Sequence, residues 1–328
     1  MIKVVGNEIC RNKELKAIYK CFFIKSNVDF LTEEYVEHTE WKGIDSKSSL
    51  SFKDEKSIEE LFELSNKERF IEKSSNAELR IKVLHSSALL PLLVLYNVSN
   101  ENNLVIKIGE DNVVFDEVYF EVQNKAFASG YPSKVDVALV SKKSEIVLYV
   151  ESKFTEYLSG NVSNKFSNKY EEIVKRVLGD KYEKCSDGRL KIKDYTYGEG
   201  VKQLIAHFVG ICKGAVNRKN EADKYVKEGY KVCLAELLFK FDKVLDKGRF
   251  EKYSKQYEAI SRKLNDIYES CENHTGAGCN CNEIDSNIMI SNAPKNFEVL
   301  PKLLTYQGIL KDSPGFKVDE MVRKYYQL

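Results

Sequence analysis

Residues 134–154 read KVDVALVSKKSEIVLYVESKF, and the fold of the chain turns on this stretch. Two apolar runs, Val137–Val140 and Ile146–Val150, flank a polar turn, with Asp136 near the start and Glu151 and Lys153 near the end. Such runs suit strands packed in a core, where an unpaired charge is costly. Three charges placed there either reach solvent at the strand ends or serve chemistry.

Parity decides whether the three meet. Opposite residues of an antiparallel pair share a face, as do residues i and i+2. Glu151 and Lys153 therefore lie together. A turn at Lys143-Ser144 sets Asp136 opposite Glu151, whereas a turn over Ser141–Ser144 sets it diagonal on the same face. An odd-length loop would separate them. Two carboxylates and the backbone carbonyl of Ser152 between them make an oxygen-rich site for Mg²⁺ (or Mn²⁺). Such an ion acidifies a bound water and neutralises charge on a phosphate, and Lys153 beside it stabilises the transition state. Asp136, Glu151 and Lys153 thus suit phosphodiester hydrolysis.

The surrounding chain sets this hairpin in an α/β layered context. Over residues 77–240 the pattern reads helix, strand, strand, strand, helix, strand. AELRIKVLHSSALLPLLVLYNV from Ala77 is the first helix, with Pro91 as a kink or break. NVVFDEVYFEVQNKAF from Asn112 alternates as one strand. Residues 159–199 are polar and Gly/Asn-spotted, an insertion or flap with a short helix at KYEEIVKRVLG. GVKQLIAHFVGICKGA from Gly200 has helical spacing, and YKVCLAELLFKF from Tyr230 reads as a buried strand. A long helix is expected over RFEKYSKQYEAISRKLNDIYESC, then short strands and a last helix. Residues 1–76 form an N-terminal extension and 241–328 a helical, Cys-containing C-terminal one.

Composition narrows the class. The chain has 328 residues, 43% hydrophobic and 31% charged, with a formal net charge of +1, which excludes a strongly basic nucleic-acid coat but permits a local basic face. No apolar leader is visible, and the run ALLPLLVLYNV is far short of the ~20 apolar residues a membrane span needs. The expectation is a soluble, cytoplasmic protein without a membrane partner. Eight cysteines do not form a disulfide framework in a chain of this size. No G-x-x-x-x-G-K-[ST], G-x-S-x-G or H-E-x-x-H string occurs, which leaves out a P-loop motor and two rival hydrolase chemistries.

The arrangement resembles the PD-(D/E)xK nuclease superfamily, the restriction-endonuclease-like fold. Asp136 takes the place of the motif Asp, with Pro132 slightly upstream in YPSKVD instead of an adjacent Pro-Asp. Glu151-Ser152-Lys153 takes the place of E-x-K, and VESKFTEYL is similar to third strands of such enzymes. An E-x-K triplet alone carries nothing here, since ELK at Glu14 also occurs; its setting in an apolar strand after an Asp-bearing strand is the signal. The resemblance covers residues 77–240 and implies an αβββαβ core with a mixed central sheet flanked by helices. It also implies a metal-dependent DNA endonuclease, with DNA as partner and a homodimer if the enzyme is a type II restriction enzyme. Alternatives are a repair or phage-defence nuclease, or an inactive nucleic-acid-binding module of the same fold.

The resemblance marks two further residues. Glu78, on the first helix, takes the place of an additional acidic ligand, although an acid at a helix N-terminus has its own electrostatic reason. Gln203 takes the place of a site-organising Gln, and His207 stands four residues on, where some relatives carry Tyr. Separately, CENHTGAGCNC spaces Cys271, His274, Cys279 and Cys281 as C-x2-H-x4-C-x-C. These either hold a structural Zn²⁺ or are reduced thiols in a loop. The Lys-rich stretch 240–263, with interleaved Phe and Tyr, is either a phosphate-contacting face or a solvated helix.

Overall fold

The computed structural model describes residues 87, 89–124, 133–154, 157, 165–193, 198–213, 222–241, 248–272, 293–318, 320–326 and 328. Among the described residues helix α1 (Leu89–Leu95) comes first, with Pro91 in its opening turn, where a missing N–H leaves no helical bond unmade. Residues 77–86 and 88, over which the expected first helix would begin, lie outside the described residues.

Strands β1 (Leu104–Ile108) and β2 (Asp111–Phe115) form a separate antiparallel hairpin. Its two-residue turn opens on Gly109 at φ 62°, a backbone angle glycine adopts freely. The next strand, β3 (Glu117–Asn124), belongs to the main sheet. Residues 112–127 are thus not one strand. The ladder changes partner at Asp116, whose N–H donates to Val140 O at 3.0 Å. Alternation alone reads straight through such a change, because both pieces keep the period of two.

The main sheet continues through β4 (Ser133–Ser141) and β5 (Ile146–Lys153), each antiparallel to its predecessor. A small sheet of β6 (Lys165–Phe166), β7 (Tyr182–Lys184) and β8 (Leu190–Ile192), with helix α2 (Glu171–Leu178), occupies much of the polar insertion. It buries Ile173, Val174, Val177 and Leu178 of α2, so the insertion carries its own secondary structure where only a short helix was expected. Helix α3 (Gly198–Lys213) and the short α4 (Asp223–Lys227) lead to β9 (Lys231–Leu238), parallel to β5. Helix α5 (Arg249–Glu272) follows. Then β10 (Phe297–Val299) and β11 (Leu304–Thr305) both pair in parallel with β9, and α6 (Tyr306–Asp312) and α7 (Glu320–Tyr326) finish the chain.

The sheet order β10-β9-β5-β4-β3, with β11 also on β9, makes β5 and β9 interior strands. Strands covered on both faces lose the polar alternation of an exposed sheet and read as continuous apolar runs. One face sets Leu139, Leu148, Val150 and Ala235 against α1, the β1–β2 hairpin, α6 and α7. The opposite face sets Ala138, Val147, Tyr149 and Leu234 against α2, α3 and α5. The chain is therefore a mixed α/β protein with helices on both faces of a mixed sheet. Among the described residues no helix is long and apolar enough to cross a membrane.

Candidate active site

The β4–β5 turn has Ser141 paired with Ile146 and four residues, Lys142–Glu145, between them. It is centred on Lys143-Ser144, so Val137 faces Val150. Continuing that register one residue sets Asp136 across from Glu151, the first of the two alignments parity allowed. Here the strands part. The N–H of Ser152 donates not to β4 backbone but to Oδ2 of Asp136, at 2.7 Å. Along a strand the N–H and C=O of one residue point to the same side. Lys153 O accepts from Phe239 N at 2.9 Å on the β9 side, so the Ser152 carbonyl points back toward Asp136.

Glu151 and Lys153 project toward α3, while Ser152 projects to the other face, its Oγ 2.8 Å from the Tyr306 hydroxyl. Lys153 Nζ donates to Oε1 of Glu151 at 2.7 Å and to Oε1 of Gln203 at 2.5 Å. Gln203 Nε2 donates to the same Glu151 oxygen at 2.6 Å, which closes a three-membered ring of side chains. Gln203 reaches the ring because it lies on the face that α3 turns to the sheet. His207, one turn further along that face, puts Nε2 2.9 Å from Oε2 of Glu151. Its Nδ1 lies 2.5 Å from Oγ of Ser133, at the start of β4.

Glu151, Lys153 and His207 are each at most 3% exposed, and Asp136 is half-buried. Burial pushes the Glu151 carboxyl upward, but the charges of Lys153 and His207 and their hydrogen bonds outweigh it and hold the group below its usual range. The carboxylate is thus ionised in a site that solvation alone would make it avoid.

Among the described residues no three His, Cys, Asp or Glu side chains are gathered as a metal cage. A hard cation that keeps several waters needs fewer protein ligands than that. The donor set of Asp136, Glu151 and the Ser152 carbonyl fits one. Within that set, Oε1 of Glu151 accepts from Lys153 and Gln203, and Oε2 faces Nε2 of His207 at 2.9 Å.

Other expected residues fall elsewhere. Glu78, His274, Cys279, Cys281 and the whole of residues 1–76 lie outside the described residues. Cys271 stands in the last turn of α5. Outside that cluster, Cys212 and Cys233 are buried free thiols, and Cys185 is a half-buried one. On α5, which takes up the second half of the Lys-rich stretch, Tyr253 and Tyr257 are buried in the core, as is Tyr268 further along. The outer face of α5 mixes Glu251, Lys252, Lys255, Glu258 and Arg262, with Arg262 3.4 Å from Glu258, and so makes no basic stripe.

Two features have no sequence signature. Glu236 on β9 lies beside Glu151 in the parallel register and accepts from the Tyr253 hydroxyl at 2.7 Å. Ser133 carries the ring of His207. Each depends on a long-range contact, and only the apolar setting of Glu236 in CLAELL hinted at anything unusual. No family model matches the chain, and neither the curated proteins nor the solved structures contain a match.

Proposed function

We propose that this protein is a divalent-metal-dependent nuclease with a restriction-endonuclease-like core, hydrolysing phosphodiester bonds in DNA. The observation that carries this reading is the convergence of Asp136, Glu151 and Lys153 where β4 and β5 part, with Asp136 on Ser152 N at 2.7 Å and Lys153 on Glu151 at 2.7 Å. The succession β3-β4-β5 antiparallel, then a helix, then β9 parallel to β5, supports the same reading.

Asp136, Glu151 and the Ser152 carbonyl would hold the ion, Mg²⁺ or Mn²⁺. When bound, it supplies Lewis-acid polarisation of the phosphate and a water acidified toward neutral pH. The remaining work belongs to the side chains. Lys153, released from Glu151, brings its ammonium to the attacking water and to the charge that builds on the phosphate oxygens. Gln203 accepts from Lys153 and donates to Glu151, so it sets the distance between the two. The apolar strand around them excludes bulk water, which strengthens each interaction. A homodimer would present two such sites to the two strands of a symmetric target.

The test incubates plasmid DNA with the purified protein in Mg²⁺, in Mn²⁺ and in EDTA, beside Lys153→Ala. Discrete metal-dependent fragments lost in the variant support a restriction-type endonuclease. Unordered degradation supports a repair or defence nuclease. DNA binding with no cleavage in any metal would overturn the hydrolytic reading.

A further inference from the structure

Residues 165–193, in the insertion between β5 and α3, carry nine Lys and Arg against five Asp and Glu. The surplus of four stands in a chain whose formal net charge is +1, so the remainder is acidic on balance. The small sheet sorts this charge by side. Phe166, Leu190 and Ile192 are buried in the apolar cluster that also holds Tyr149, Leu204 and Ile205. Lys191 lies opposite Lys165 of β6 and opposite Glu183 of β7. Hydrogen bonds from Lys193 N to Lys181 O and from Cys185 N to Arg189 O, both 2.8 Å, carry the ladder past the ends of β8. Opposite residues share a face, as do residues two apart. Lys165, Glu183, Arg189, Lys191 and Lys193 therefore stand together on the outer face.

Four cations share two carboxylates there. Glu183 sits between Lys191 at 3.3 Å and Lys193 at 3.8 Å, and Asp187 between Arg189 at 2.6 Å and Lys165 at 3.5 Å. These side chains are 35–56% exposed, where an ion pair contributes about 1 kcal/mol or less. Such pairs set the order of the cations and exchange readily for another anion. Two positive charges are left over.

Position decides what this face can serve. Lys193 stands five residues before Gly198, the start of α3, a stretch of chain that spans at most about 18 Å. Gln203 lies five residues further along the helix, about 7.5 Å. The backbone of Lys193 is thus within about 25 Å of that of Gln203, so one duplex turn of ~34 Å is long enough to touch both. The sheet is also held in place. Its inner face is part of the core under α3, and Lys263 of α5 donates to Val177 O at the end of α2, at 2.7 Å.

We propose that Lys165, Arg189, Lys191 and Lys193 on the outer face of the β6–β8–β7 sheet bind the phosphate backbone of a DNA duplex engaged at the candidate active site. This rests on the reading of that site as a DNA nuclease. It gives the insertion the task of holding substrate through contacts that carry no sequence information.

The experiment measures binding of a fluorescent 30-base-pair duplex to the full-length protein in EDTA, over a series of KCl concentrations. It compares wild type with the triple variant Lys165→Gln, Lys191→Gln, Lys193→Gln. A control, Lys252→Gln, Lys255→Gln, Arg262→Gln, removes the same charge from the outer face of α5. The first triple should weaken binding at least about tenfold and flatten the slope of log K against log salt by about 2–3, close to one unit per lost phosphate contact. The control should shift neither by a comparable amount. Amine-reactive labelling of unmutated protein, read by mass spectrometry, should show Lys165, Lys191 and Lys193 shielded by duplex, a result independent of how any variant folds. Equal losses in the two triples, or no shielding, overturns the proposed face. Metal-dependent cleavage that persists alongside such a result leaves the hydrolytic reading standing. Shielding at these lysines with no cleavage in any metal supports the face and overturns the hydrolytic reading. Absence of duplex binding in EDTA and in Mg²⁺ overturns both.

Discussion

Gln203 and Lys153 share one acceptor: both donate to Oε1 of Glu151, at 2.6 and 2.7 Å, and Lys153 also donates to Gln203 at 2.5 Å. The ring separates a charge-bearing residue from one that positions it. Gln203→Leu is expected to slow DNA cleavage by roughly 10-fold, whereas Lys153→Ala should slow it by about 10²–10³-fold, the range for loss of a transition-state electrostatic contact. Single-turnover cleavage rates at saturating metal measure both. Equal losses would mean that Gln203 does more than hold the lysine.

Asp136 combines a structural bond with a charge, and the two can be parted. In Asp136→Asn the amide oxygen still accepts from Ser152 N, so the unfolding free energy measured in urea should change by less than about 0.5 kcal/mol. Metal-dependent cleavage should nevertheless fall by at least tenfold, because a neutral amide is a poor ligand for a hard cation. A large loss of stability in this variant would show that the negative charge, and not the acceptor, secures the end of β5.

Gly200 makes room for Tyr253. A Cβ placed there would lie 1.8 Å from the Tyr253 hydroxyl oxygen, which donates to buried Glu236 at 2.7 Å. Gly200→Ala must therefore displace the tyrosine and break that hydrogen bond, at a cost of about 1–3 kcal/mol. Chemical denaturation of the variant beside Tyr253→Phe tests this. The two should lose similar stability, and combining them should add less than the sum.

Glu117 predicts a pH dependence. Its carboxylate accepts from the Tyr119 and Tyr225 hydroxyls, at 2.6 and 2.5 Å, and pairs with Lys142. Burial raises its pKa, but the Lys142 bond and the two tyrosine bonds outweigh burial and bring the group to about 2 from an ordinary 4.5. The unfolded chain takes up this proton first as pH falls, so the stabilisation is complete above about pH 4.5 and is lost toward pH 2. The melting-temperature gap between wild type and Glu117→Gln should be widest near neutral pH and narrow through that window. A gap independent of pH would show that packing, not charge, sustains the cluster.

The β4–β5 alignment was legible because side chains alternate with a period of two, so only turn length remained open, and both even turns placed Asp136 with Glu151. The pairing of Gln203 with His207 was legible too, since residues four apart share a helical face. The continuous apolar runs of β5 and β9 announced strands covered on both sides. Local periodicity carries that much because it is written into neighbouring residues.

Partner choice is different. Nothing near Asp116 records that the chain leaves the β1–β2 hairpin for the main sheet. Nothing in KNFEVLPKLLT says that both short strands will lie along β9. The approach of His207 to Glu151, with Ser133 behind it, spans 56 and 74 residues of chain. Contacts of that length arise only when the helices close on the sheet, where burial and hydrogen bonding select among many arrangements that local pattern leaves equal.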